Sequence, residues 1–495
     1  MNNKRITSTI LLISLLCANL AACGSTASGS SDDTTASADT TAVETTAPVE
    51  YEKPDVDYGG KTFTIASFNF DFSYAVAKYT MISHEEESGD IIDDSIIKMT
   101  RQVEEEMNIK LEMLEMTSAQ RNNIDPITKP IYAGEDSIQA AFPLMVGLAK
   151  LLAIPSLLTD LDTIPTLDLS HSWWDQNSIE EYNIGGVQYT AIGDICFFAK
   201  AAPMTTFFNK QMIADYKLED PYKLVYDGKW TLDKMIEMSK AAARDVNGNQ
   251  QVDPTEDQFG FIAAGPYTFL VGCGVEYSKR NGNDIEMTFY SEKTADILAK
   301  YIPFERDTTI SMSNVDYSGS YKDAFQELFT PTFMENRALF FTNQVLMALD
   351  FRAMDTDFGM LPMPKYDEKQ DTYYGATNTW WCDNLVVPTT NADLEMTGNV
   401  LEAMGYYSQQ YVTPAFIETT VLGKSVRDDD SAKMVEMILD NQAYDIALLF
   451  NWGNISGMIS NMEKDTGLGL ASKYAKIEPT IKAEMQKTMD ELLDK

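Results

Sequence analysis

An alternation of apolar strands with an amphipathic helix, beginning near residue 60, constrains this chain more than any other feature. The run from Thr62 to Ala66 is typical of a buried strand. A helical stripe and a second, alternating strand follow it, formed by Ile92, Ile96, Val103 and Met107 and then by Ile109, Leu111 and Met113. Such a strand–helix–strand unit requires a parallel pair with a right-handed crossover, so the pattern predicts an α/β fold.

Similar patterns recur along the chain, and 495 residues with 44% hydrophobic composition suffice for two or three packed domains. Further strands are predicted at 138–142, 187–192, 205–210 and 259–263. Further helices are predicted at 230–243, 291–302, 321–329, 394–411, 431–441 and 444–450, with a terminal helix from Glu478. Together with a return crossing near 378–383, this arrangement predicts two α/β lobes joined by a hinge.

The stretch from Phe333 to Pro388 alternates apolar runs with loops that combine amides and aromatic rings. A strand at 338–342 opens on Asn343 and Gln344, and a loop at 375–378 leads through Trp380 and Trp381 into a strand at 384–387. Rings beside amides at strand ends suit a ligand that is flat on one face and rich in hydroxyls, such as a sugar. Because adjacent residues of a strand point to opposite faces, at least one of the two tryptophans is predicted to lie in the core.

Three segments of this stretch resemble the C-terminal half of the family 1 extracellular solute-binding proteins. They are Glu335-Asn336-Arg337-Ala338-Leu339, the run 358–365 with Pro362 and Pro364, and Tyr374-Gly375-Ala376-Thr377-Asn378. The likeness extends, with gaps, over most of the chain from Asp57. That family includes maltose-binding protein, and its members deliver sugars to ABC importers.

The resemblance implies a two-lobe periplasmic-binding-protein-like fold with a hinge and an interlobe ligand cleft. Lobe one would comprise 57–170 plus 382–422, and lobe two 171–381 plus 423–495. It also implies a monomeric, non-enzymatic protein. Its expected partners are a sugar ligand, which we predict to be an oligosaccharide, and ABC permease subunits. Ligand contacts from both lobes would stabilise a closed state that the open protein rarely populates.

The N-terminal residues have the layout of a secretory signal followed by a tether. Lys4 and Arg5 precede an apolar run that is short for a transmembrane helix, and 1–22 is predicted to be a signal peptide. Leu20-Ala21-Ala22-Cys23 resembles a bacterial lipobox, which implies acylation of Cys23, for example with palmitate. The Ser/Thr/Asp-rich segment 23–56 is predicted to be a disordered tether. We therefore expect an extracytoplasmic protein held on the bacterial membrane by lipid alone; the alternative is an ordinary secreted protein.

Charge and side-chain composition exclude several classes of function. The 75 acidic and 38 basic residues give a net charge of −37, which repels nucleic acid and favours neutral molecules, cations or basic protein surfaces as partners. Cys196, Cys273 and Cys382 are too widely spaced to indicate a disulfide framework or a metal site. With His84 and His171 as the only histidines, a multi-histidine zinc site is not expected.

The loop from Asp245 to Glu256 has the ligand spacing of a calcium-binding loop. Oxygen-bearing side chains occupy positions 1, 3, 5, 9 and 12 and position 7 adds a backbone carbonyl, which predicts one structural Ca2+ held by Asp245, Asn247, Asn249, Gln251, Asp253 and Glu256. The sixth position, normally glycine, is Gln250. The alternative is an Asn/Asp-rich turn that needs no ion.

Ligand-binding residues are assigned from positions relative to the family's motifs. The candidates from lobe one are Phe68 and Asp71, after the first strand, and Phe142, after the third. Those from lobe two are Tyr267, Gln344, Asn378, Trp380 and Trp452. Aromatic rings would stack on sugar faces, and the carboxylate and amides would bind vicinal hydroxyls.

Two other classes of function remain open from the sequence. A surface glycoside hydrolase would need two carboxylates facing each other across a cleft, and no loop pair singles out such a pair. A lipoprotein that captures peptides or other solutes, without a transporter, is equally compatible with loops of aromatic and amide residues.

Overall fold

The computed structural model describes residues 51–71, 74–250, 252–421, 429–465 and 469–493. The predicted signal peptide, Cys23 and nearly all of the tether lie outside these ranges. Within them, none of the helices combines the length and the apolar character needed to cross a membrane.

Helices are more numerous than strands and fall throughout the described residues. The helices are α1 (Ile91–Met107), α2 (Asp125–Ala133), α3 (Met145–Leu152), α4 (Gln176–Tyr182), α5 (Phe197–Ala201), α6 (Lys210–Tyr216), α7 (Pro221–Tyr226), α8 (Leu232–Ala242), α9 (Pro266–Gly272), α10 (Glu292–Glu305), α11 (Asn314–Tyr317), α12 (Thr330–Met334), α13 (Ala348–Phe351), α14 (Leu394–Tyr407), α15 (Thr413–Val421), α16 (Asp429–Asp440), α17 (Ile446–Phe450), α18 (Ile455–Lys464) and α19 (Leu470–Leu493). The strands are β1 (Lys61–Phe68), β2 (Ile109–Met116), β3 (Ala140–Ala141), β4 (Met204–Asn209), β5 (Phe259–Ile262), β6 (Ser278–Asn281), β7 (Asp284–Met287), β8 (Ser311–Met312), β9 (Ala338–Gln344) and β10 (Phe358–Leu361).

The first sheet is parallel, with strand order β2-β1-β3. Helix α1 connects β1 to β2, and its N-terminus is capped by the Asp90 carboxylate, which accepts hydrogen bonds from the backbone N–H groups of Ile92 and Asp93. Ile92, Ile96, Val103 and Met107 are all buried. The predicted parallel strand–helix–strand unit is therefore confirmed.

The second sheet is mixed, with strand order β10-β4-β9-β5-β8. Strand β4 runs antiparallel to both β10 and β9, whereas β5 runs parallel to β9 and β8. All six residues of β4 are buried, as are the first six of β9, because helices cover both faces. The predicted strands at 205–210, 259–263 and 338–342 correspond to β4, β5 and β9. The two-stranded sheet β6-β7 is separate from both larger sheets.

Two extended segments carry the chain between the first and second sheets. The backbone N–H of Met204 donates to the carbonyl of Ala376 (2.7 Å), and that of Asn378 donates to the carbonyl of Ala202 (3.1 Å). We call the paired residues 202–204 and 376–378 the crossing segments. Beyond them, 383–388 runs beside β3, where Val386 bridges Ala141. The predicted strand at 384–387 is thus an extended segment with isolated bridges.

The largest side chains pack inside the molecule rather than at the predicted site. Trp173, Trp174 and Trp230 are 1%, 1% and 0% exposed. The indole N–H of Trp230 donates to the carbonyl of Pro362 (2.9 Å). Thr231 caps α8 by accepting from the backbone N–H of Lys234 (3.2 Å). Their burial places these three tryptophans in the packed interior.

Candidate functional site

A cavity of about 980 Å3 opens beside the crossing segments, between elements that pack on the first sheet and elements that extend from the second. Its lining combines aromatic rings, carboxamides and three charged groups: Tyr74, Tyr267, Phe325, Trp380, Trp381 and Phe450; Asn122, Asn314, Asn343, Gln344, Asn378 and Asn451; and Arg121, Lys150 and Asp323. We call this cavity the cleft. Its volume lies at the upper end of the range for small-molecule pockets.

Two walls of different origin face each other across the cleft. The first wall comprises Tyr74, Arg121 and Asn122, with α3 behind them. The second wall is built from the C-terminal end of β9, from α9 and from α17. Loops and helix ends beyond strand ends are where α/β sheets present ligand-binding groups.

The end of β9 presents two carboxamides to the cleft. The Asn343 side chain accepts a hydrogen bond from the backbone N–H of Gln344 (2.8 Å), which fixes the turn out of the strand. Among the described residues, none hydrogen-bonds the side-chain amide of Gln344. That amide therefore offers both a donor and an acceptor to a ligand.

Trp380 and Trp381 both line the cleft, but most of the Trp381 side chain is packed into the core. Trp380 is 44% exposed, whereas Trp381 is 6% exposed and packs its ring 4.9 Å from that of Phe70. The prediction that at least one of them lies in the core is confirmed. The side-chain oxygen of Asn378 accepts from the backbone N–H of Trp380 (3.0 Å), and the guanidinium of Arg121 lies 5.5 Å from the Trp380 ring centre.

Two tyrosines are held protonated by their surroundings. Burial raises the pKa of Tyr267, whose hydroxyl donates to the carbonyl of Thr377 in a crossing segment. Burial, together with the charge of Asp323, raises the pKa of Tyr74 to about 12, and Arg121 opposes that shift. The hydroxyl groups of both tyrosines therefore stay protonated and uncharged at physiological pH.

The charged groups of the cleft differ in how they are held. The Lys150 amine donates to the backbone carbonyl of Asn122 (2.7 Å). Burial lowers the pKa of Arg121, and the nearby Asp71 carboxylate raises it in part. The Asp323 carboxylate accepts from the backbone N–H groups of Phe325 (3.0 Å) and Gln326 (3.3 Å), so it caps the turn that presents Phe325.

Four of the eight predicted ligand-binding residues, Tyr267, Gln344, Asn378 and Trp380, line the cleft. Phe68 and Phe142 do not, because they are 1% and 0% exposed and lie in the hydrophobic core. Asp71 is exposed and adjoins Arg121 without lining the cleft. The placement of Phe68 and Phe142 at the site is corrected: both side chains point into the packing between sheet and helices.

Trp452 also lies outside the cleft. It is 2% exposed, and its indole N–H donates to the hydroxyl of Thr488 in α19 (3.0 Å). Its ring is nearly coplanar with that of Phe450, with ring centres 5.5 Å apart, and Phe450 is the ring that lines the cleft. The structure therefore places Phe450, and not the predicted Trp452, in the lining of the cleft.

The sequence did not indicate the charged groups or four of the six rings, Tyr74, Phe325, Trp381 and Phe450. Arg121, Lys150, Asp323, Phe325 and Phe450 all line the cleft. The signal for Phe450 was available, because it lies two residues before Trp452 at the end of a predicted helix. Arg121 and Asp323 lie in short turns between elements, where neither periodicity nor the quoted motifs mark a position.

The loop at 245–256 is remote from the cleft lining. Both carboxylate oxygens of Asp245 accept backbone hydrogen bonds, from Gly248 (2.7 Å) and Gln250 (2.7 Å). Gln250 has a φ of 62°, the left-handed conformation for which the sixth loop position normally uses glycine. Gln251 lies outside the described residues, and no group of three or more His, Cys, Asp or Glu is poised for a metal within them. Carboxylate and amide oxygens are the ligands that a hard cation prefers, and calcium binding here stays a prediction.

The sequence matches no protein-family model, and no curated protein resembles it significantly. Solved structures do resemble the fold. The ABC substrate-binding protein Lmo0181 of Listeria monocytogenes, solved in complex with cycloalternan, aligns with a TM-score of 0.56 at 14% identity over 86% of this chain and 99% of that one.

Two further structures align comparably. The maltose/maltodextrin-binding domain MalE of Bdellovibrio bacteriovorus, bound to maltotriose, gives a TM-score of 0.54 at 13% identity over 86% of this chain and all of that one (100%). The cyclic α-maltosyl-1,6-maltose binding protein of Arthrobacter globiformis gives 0.54 at 14% identity, covering 88% and 100%. The fold expected from the resemblance is confirmed: the chain has the two-lobe α/β fold of the maltodextrin-type ABC substrate-binding proteins.

Proposed function

We propose that this protein is the substrate-binding component of an ABC importer and that it captures a carbohydrate in the cleft. The observation that carries the proposal is the lining itself, in which exposed or half-buried rings alternate with six carboxamides. Rings bind the apolar faces of sugars, and amides pair with adjacent hydroxyl groups. The similar structures whose names include maltotriose or a cyclic oligosaccharide support the same ligand class.

The ligand we propose is an oligosaccharide rather than a single sugar. The cleft volume of about 980 Å3 reaches the upper end of the range for small-molecule sites. Trp380 lies beside Arg121 of the first wall, and Phe450 lies in α17 of the second wall, so successive sugar units could each contact a ring.

The distribution of carboxylates favours binding over hydrolysis. Among the described residues that line the cleft, Asp323 is the only carboxylate, and its Oδ1 already accepts from two backbone N–H groups. Glycoside hydrolysis in its usual form needs an acid and a base, or an acid and a nucleophile, on either side of the bond. A single capping carboxylate does not supply that pair.

Capture would operate by closure about the crossing segments. The first wall carries Arg121 and Asn122, and the second carries Gln344 and Tyr267. A ligand that contacts both walls binds the closed state more tightly than the open state, and so shifts the population toward closure. The closed form is the one that permease subunits would accept.

The location we propose is the outer face of the bacterial cytoplasmic membrane. Acylation of Cys23 would anchor the chain, and the segment 23–56 would tether the folded part to the lipid. A monomer suffices for this role, because both walls of the cleft come from one chain.

The direct test is calorimetric titration of the purified protein with oligosaccharides of increasing length, with chromatography of each mixture afterwards. We expect saturable binding with the sugar recovered intact. Consumption of the sugar would establish the hydrolase alternative, and binding of peptides in place of sugars would establish the peptide-binding one.

A further inference from the structure

A group of buried polar side chains without hydrogen-bond partners lies behind the second wall of the cleft. Glu305, the last residue of α10, is 0% exposed, and neither oxygen of its carboxyl group has a hydrogen-bond partner among the described residues. The hydroxyl group of Tyr301, one turn earlier in α10, is equally buried and is also without a partner there. Because buried polar groups are normally paired, this group of atoms requires an explanation.

A second buried carboxyl group, that of Glu463 in α18, interacts electrostatically with Glu305. Glu463 is 8% exposed. Within the part of the chain that the structure describes, neither carboxyl group forms an ion pair, and the guanidinium of the neighbouring Arg306 is paired with Asp316 of α11 (2.5 Å) instead. The two carboxyl groups therefore share an interior site without a cation of their own.

The charges around this pair favour the retention of a proton. Burial raises the pKa of Glu305 well above its ordinary value, and the charges of Glu463 and Asp316 raise it further, against the opposing charge of Arg306. Burial also raises the pKa of Glu463, which Arg306 and the adjoining Lys464 oppose. Since two carboxylates repel each other strongly away from water, one proton stays with the pair.

The pair is packed against α9, the helix that brings Tyr267 to the cleft. Helix α9 contacts both α10 and α18. The ring of Phe269 in α9 stacks on that of Tyr301, with ring centres 4.2 Å apart. Gly265 precedes α9, and a Cβ at that position would lie 3.9 Å from the Oε2 of Glu463. A displacement of Tyr301 or Glu463 would therefore move α9.

A second connection leads from the pair to the cleft through α11. The Nη1 of Arg306, which follows Glu305, donates to the hydroxyl of Ser313 (3.3 Å). That hydroxyl donates in turn to the carboxylate of Asp316 (2.7 Å). Asn314 lies between these two residues in the chain and lines the cleft. A change of charge at Glu305 thus acts directly on the residues that hold Asn314 in place.

Resting on the proposed function, we infer that Glu305 and Glu463 form a buried proton-binding site, and that the bound proton keeps the second wall in the form that binds the ligand. With the proton in place, the pair carries a single negative charge. Loss of the proton would put two negative charges together in the interior, where they repel each other and draw in water. Helices α9 and α11 would then loosen, and the ligand would bind more weakly as the pH rises.

The raised pKa of Glu305 also sets the direction of the effect on stability. Glutamates of the unfolded chain are protonated only below about pH 4. The contribution of Glu305 is therefore fully present below that pH, and it is lost as the pH rises through the pKa of the folded state. Glu305→Gln cannot ionise, so its stability should fall less with rising pH than that of the wild type.

The first part of the test needs no ligand. Infrared spectra of the purified protein near pH 7 should show the band of a protonated carboxyl group, weaker in Glu305→Gln than in the wild type. Glu436→Gln, which changes an exposed glutamate of α16, is the matched control and should leave the band unchanged. Between pH 4 and pH 9 the melting temperature should fall by roughly 2–5 °C less in Glu305→Gln than in the wild type or the control.

A second variant, Glu463→Gln, keeps Glu305 and removes the neighbouring charge. The protonated-carboxyl band of Glu305 should then disappear at a lower pH than in the wild type, because less repulsion opposes ionisation. This variant tests the shared proton even if Glu305→Gln does not fold. A band that disappears at the same pH in both proteins would show that the two carboxyl groups do not share a proton.

The second part of the test uses the oligosaccharide that binds most tightly in the titration series described above. Its affinity for the wild type and for Glu436→Gln should be roughly 3- to 10-fold weaker near pH 9 than near pH 6, because a smaller fraction of the protein is competent to bind. In Glu305→Gln the change should be less than about twofold.

The possible failures can be told apart. A band of equal strength in Glu305→Gln and the wild type would overturn the proton-binding site. Affinity that changes equally with pH in these two proteins would overturn its connection to the cleft. Both results leave the proposed function intact. If no oligosaccharide binds at any pH, the proposed function is contradicted, and the infrared comparison still decides whether the pair holds a proton.

Discussion

Trp380 and Trp381 are adjacent in the chain and occupy opposite environments. Trp380 is 44% exposed at the cleft, and Trp381 is 6% exposed against Phe70. The first ring is available to a ligand, while the second stabilises the fold. Substitutions at the two positions should therefore separate binding from stability.

We expect Trp381→Ala to lower the free energy of unfolding by about 3–5 kcal/mol, the usual cost of removing a buried aromatic ring. Trp380→Ala should change it by about 0.5 kcal/mol or less, as for a surface side chain, while weakening oligosaccharide binding roughly tenfold. Denaturant unfolding and calorimetric titration measure the two effects. Equal losses of stability would contradict this division.

Asp383 is a buried carboxyl group that joins the parts of the chain near the crossing segments. It is 0% exposed, and its Oδ1 accepts from the backbone N–H of Ala199 in α5 (2.7 Å), while its Oδ2 has no partner among the described residues. Burial raises the pKa of Asp383 from 3.8 to about 7. The folded state thus favours the protonated form.

The sign of the resulting pH dependence follows from this raised pKa. Its contribution to stability is fully present below about pH 4 and is lost as pH rises to about 7, because the unfolded chain ionises first. Asp383→Asn, which keeps the oxygen acceptor, should match the wild type below about pH 4 and unfold at a higher temperature than the wild type near pH 8. A variant that is destabilised equally at both pH values would disprove the ionisation argument.

At the residue scale, the sequence predicts environments better than contacts. The prediction that one of the two tryptophans lies in the core is correct, although residues 379–381 form a turn rather than a strand. Nothing local distinguishes Trp452 from a cleft ring, because its burial depends on a distant partner, Thr488. Arg121 and Lys150 were missed for the same reason, since only the fold brings them together.

Among elements, the loop at 245–256 is closed by hydrogen bonds of its own. The buried carboxylate of Asp257 accepts from the backbone N–H groups of Val246 (2.8 Å) and Asp253 (2.8 Å). Asn247 donates across the loop to the carboxylate of Glu256 (2.8 Å). These contacts hold the loop in shape, and a bound ion would add to them.

We expect added calcium to raise the temperature of unfolding and a chelator to reverse the rise, since an ion that binds only the folded state stabilises it by mass action. Asp245→Ala should abolish this response. Asp257→Ala serves as the control, because it should lower stability with or without calcium by leaving two backbone donors unpaired. A melting temperature that is indifferent to calcium in the wild type would support the ion-free turn.

The turn between α17 and α18 is fixed against the terminal helix. Gly453 has a φ of 63°, and its backbone N–H donates to the Glu484 carboxylate of α19 (2.6 Å). A Cβ at this position would lie 2.4 Å from a side-chain carbon of Ile481. Only glycine satisfies both the conformation and the close approach.

Gly453→Ala should therefore lower the free energy of unfolding by about 1–2 kcal/mol, because alanine disfavours the left-handed conformation. The clash with Ile481 should lower it by roughly 1–3 kcal/mol more. Gly134→Ala is the matched comparison, because Gly134 has a φ of 72° but no heavy atom within 4 Å of its added Cβ. It should cost only the conformational part. If the two variants unfold at the same denaturant concentration, close packing of α19 on this turn is not important for stability.

Elements with a strong period were predicted from the sequence, and short or interrupted ones were not. Helix α1 buries its predicted stripe, and α8 lies within the predicted range 230–243. Periodicity predicts a terminal helix from Glu478. In the structure it begins at Leu470 and continues through Pro479, supported by tertiary contacts with the turn at Gly453.

At the scale of the whole molecule, two sheets are connected by paired crossing segments, and the cleft opens beside them. The hydroxyl of Tyr267 bonds to Thr377 in one crossing segment, so the cleft and the connection share a residue. Movement at the crossing segments would change the separation of the two walls. This coupling is the physical basis of the proposed closure.

The general architecture could be predicted from the sequence because it depends on repeated strand–helix patterns and a family resemblance. The ligand could not, because it depends on a few side chains from remote segments. Positions relative to the family's motifs point to four residues of the lining: Tyr267, Gln344, Asn378 and Trp380. The charged residues of the lining could not be predicted, because only the fold places α3 next to the turn at Arg121.

The most direct test of the account is thermal unfolding of the purified protein against a panel of neutral and acidic oligosaccharides and peptides. A ligand present at a hundredfold excess over its dissociation constant stabilises the folded state by roughly 2.7 kcal/mol, which raises the melting temperature measurably. The account predicts such a rise with oligosaccharides, smaller in Trp380→Ala. The account would be contradicted if only peptides raised the melting temperature, or if none of the sugars raised it.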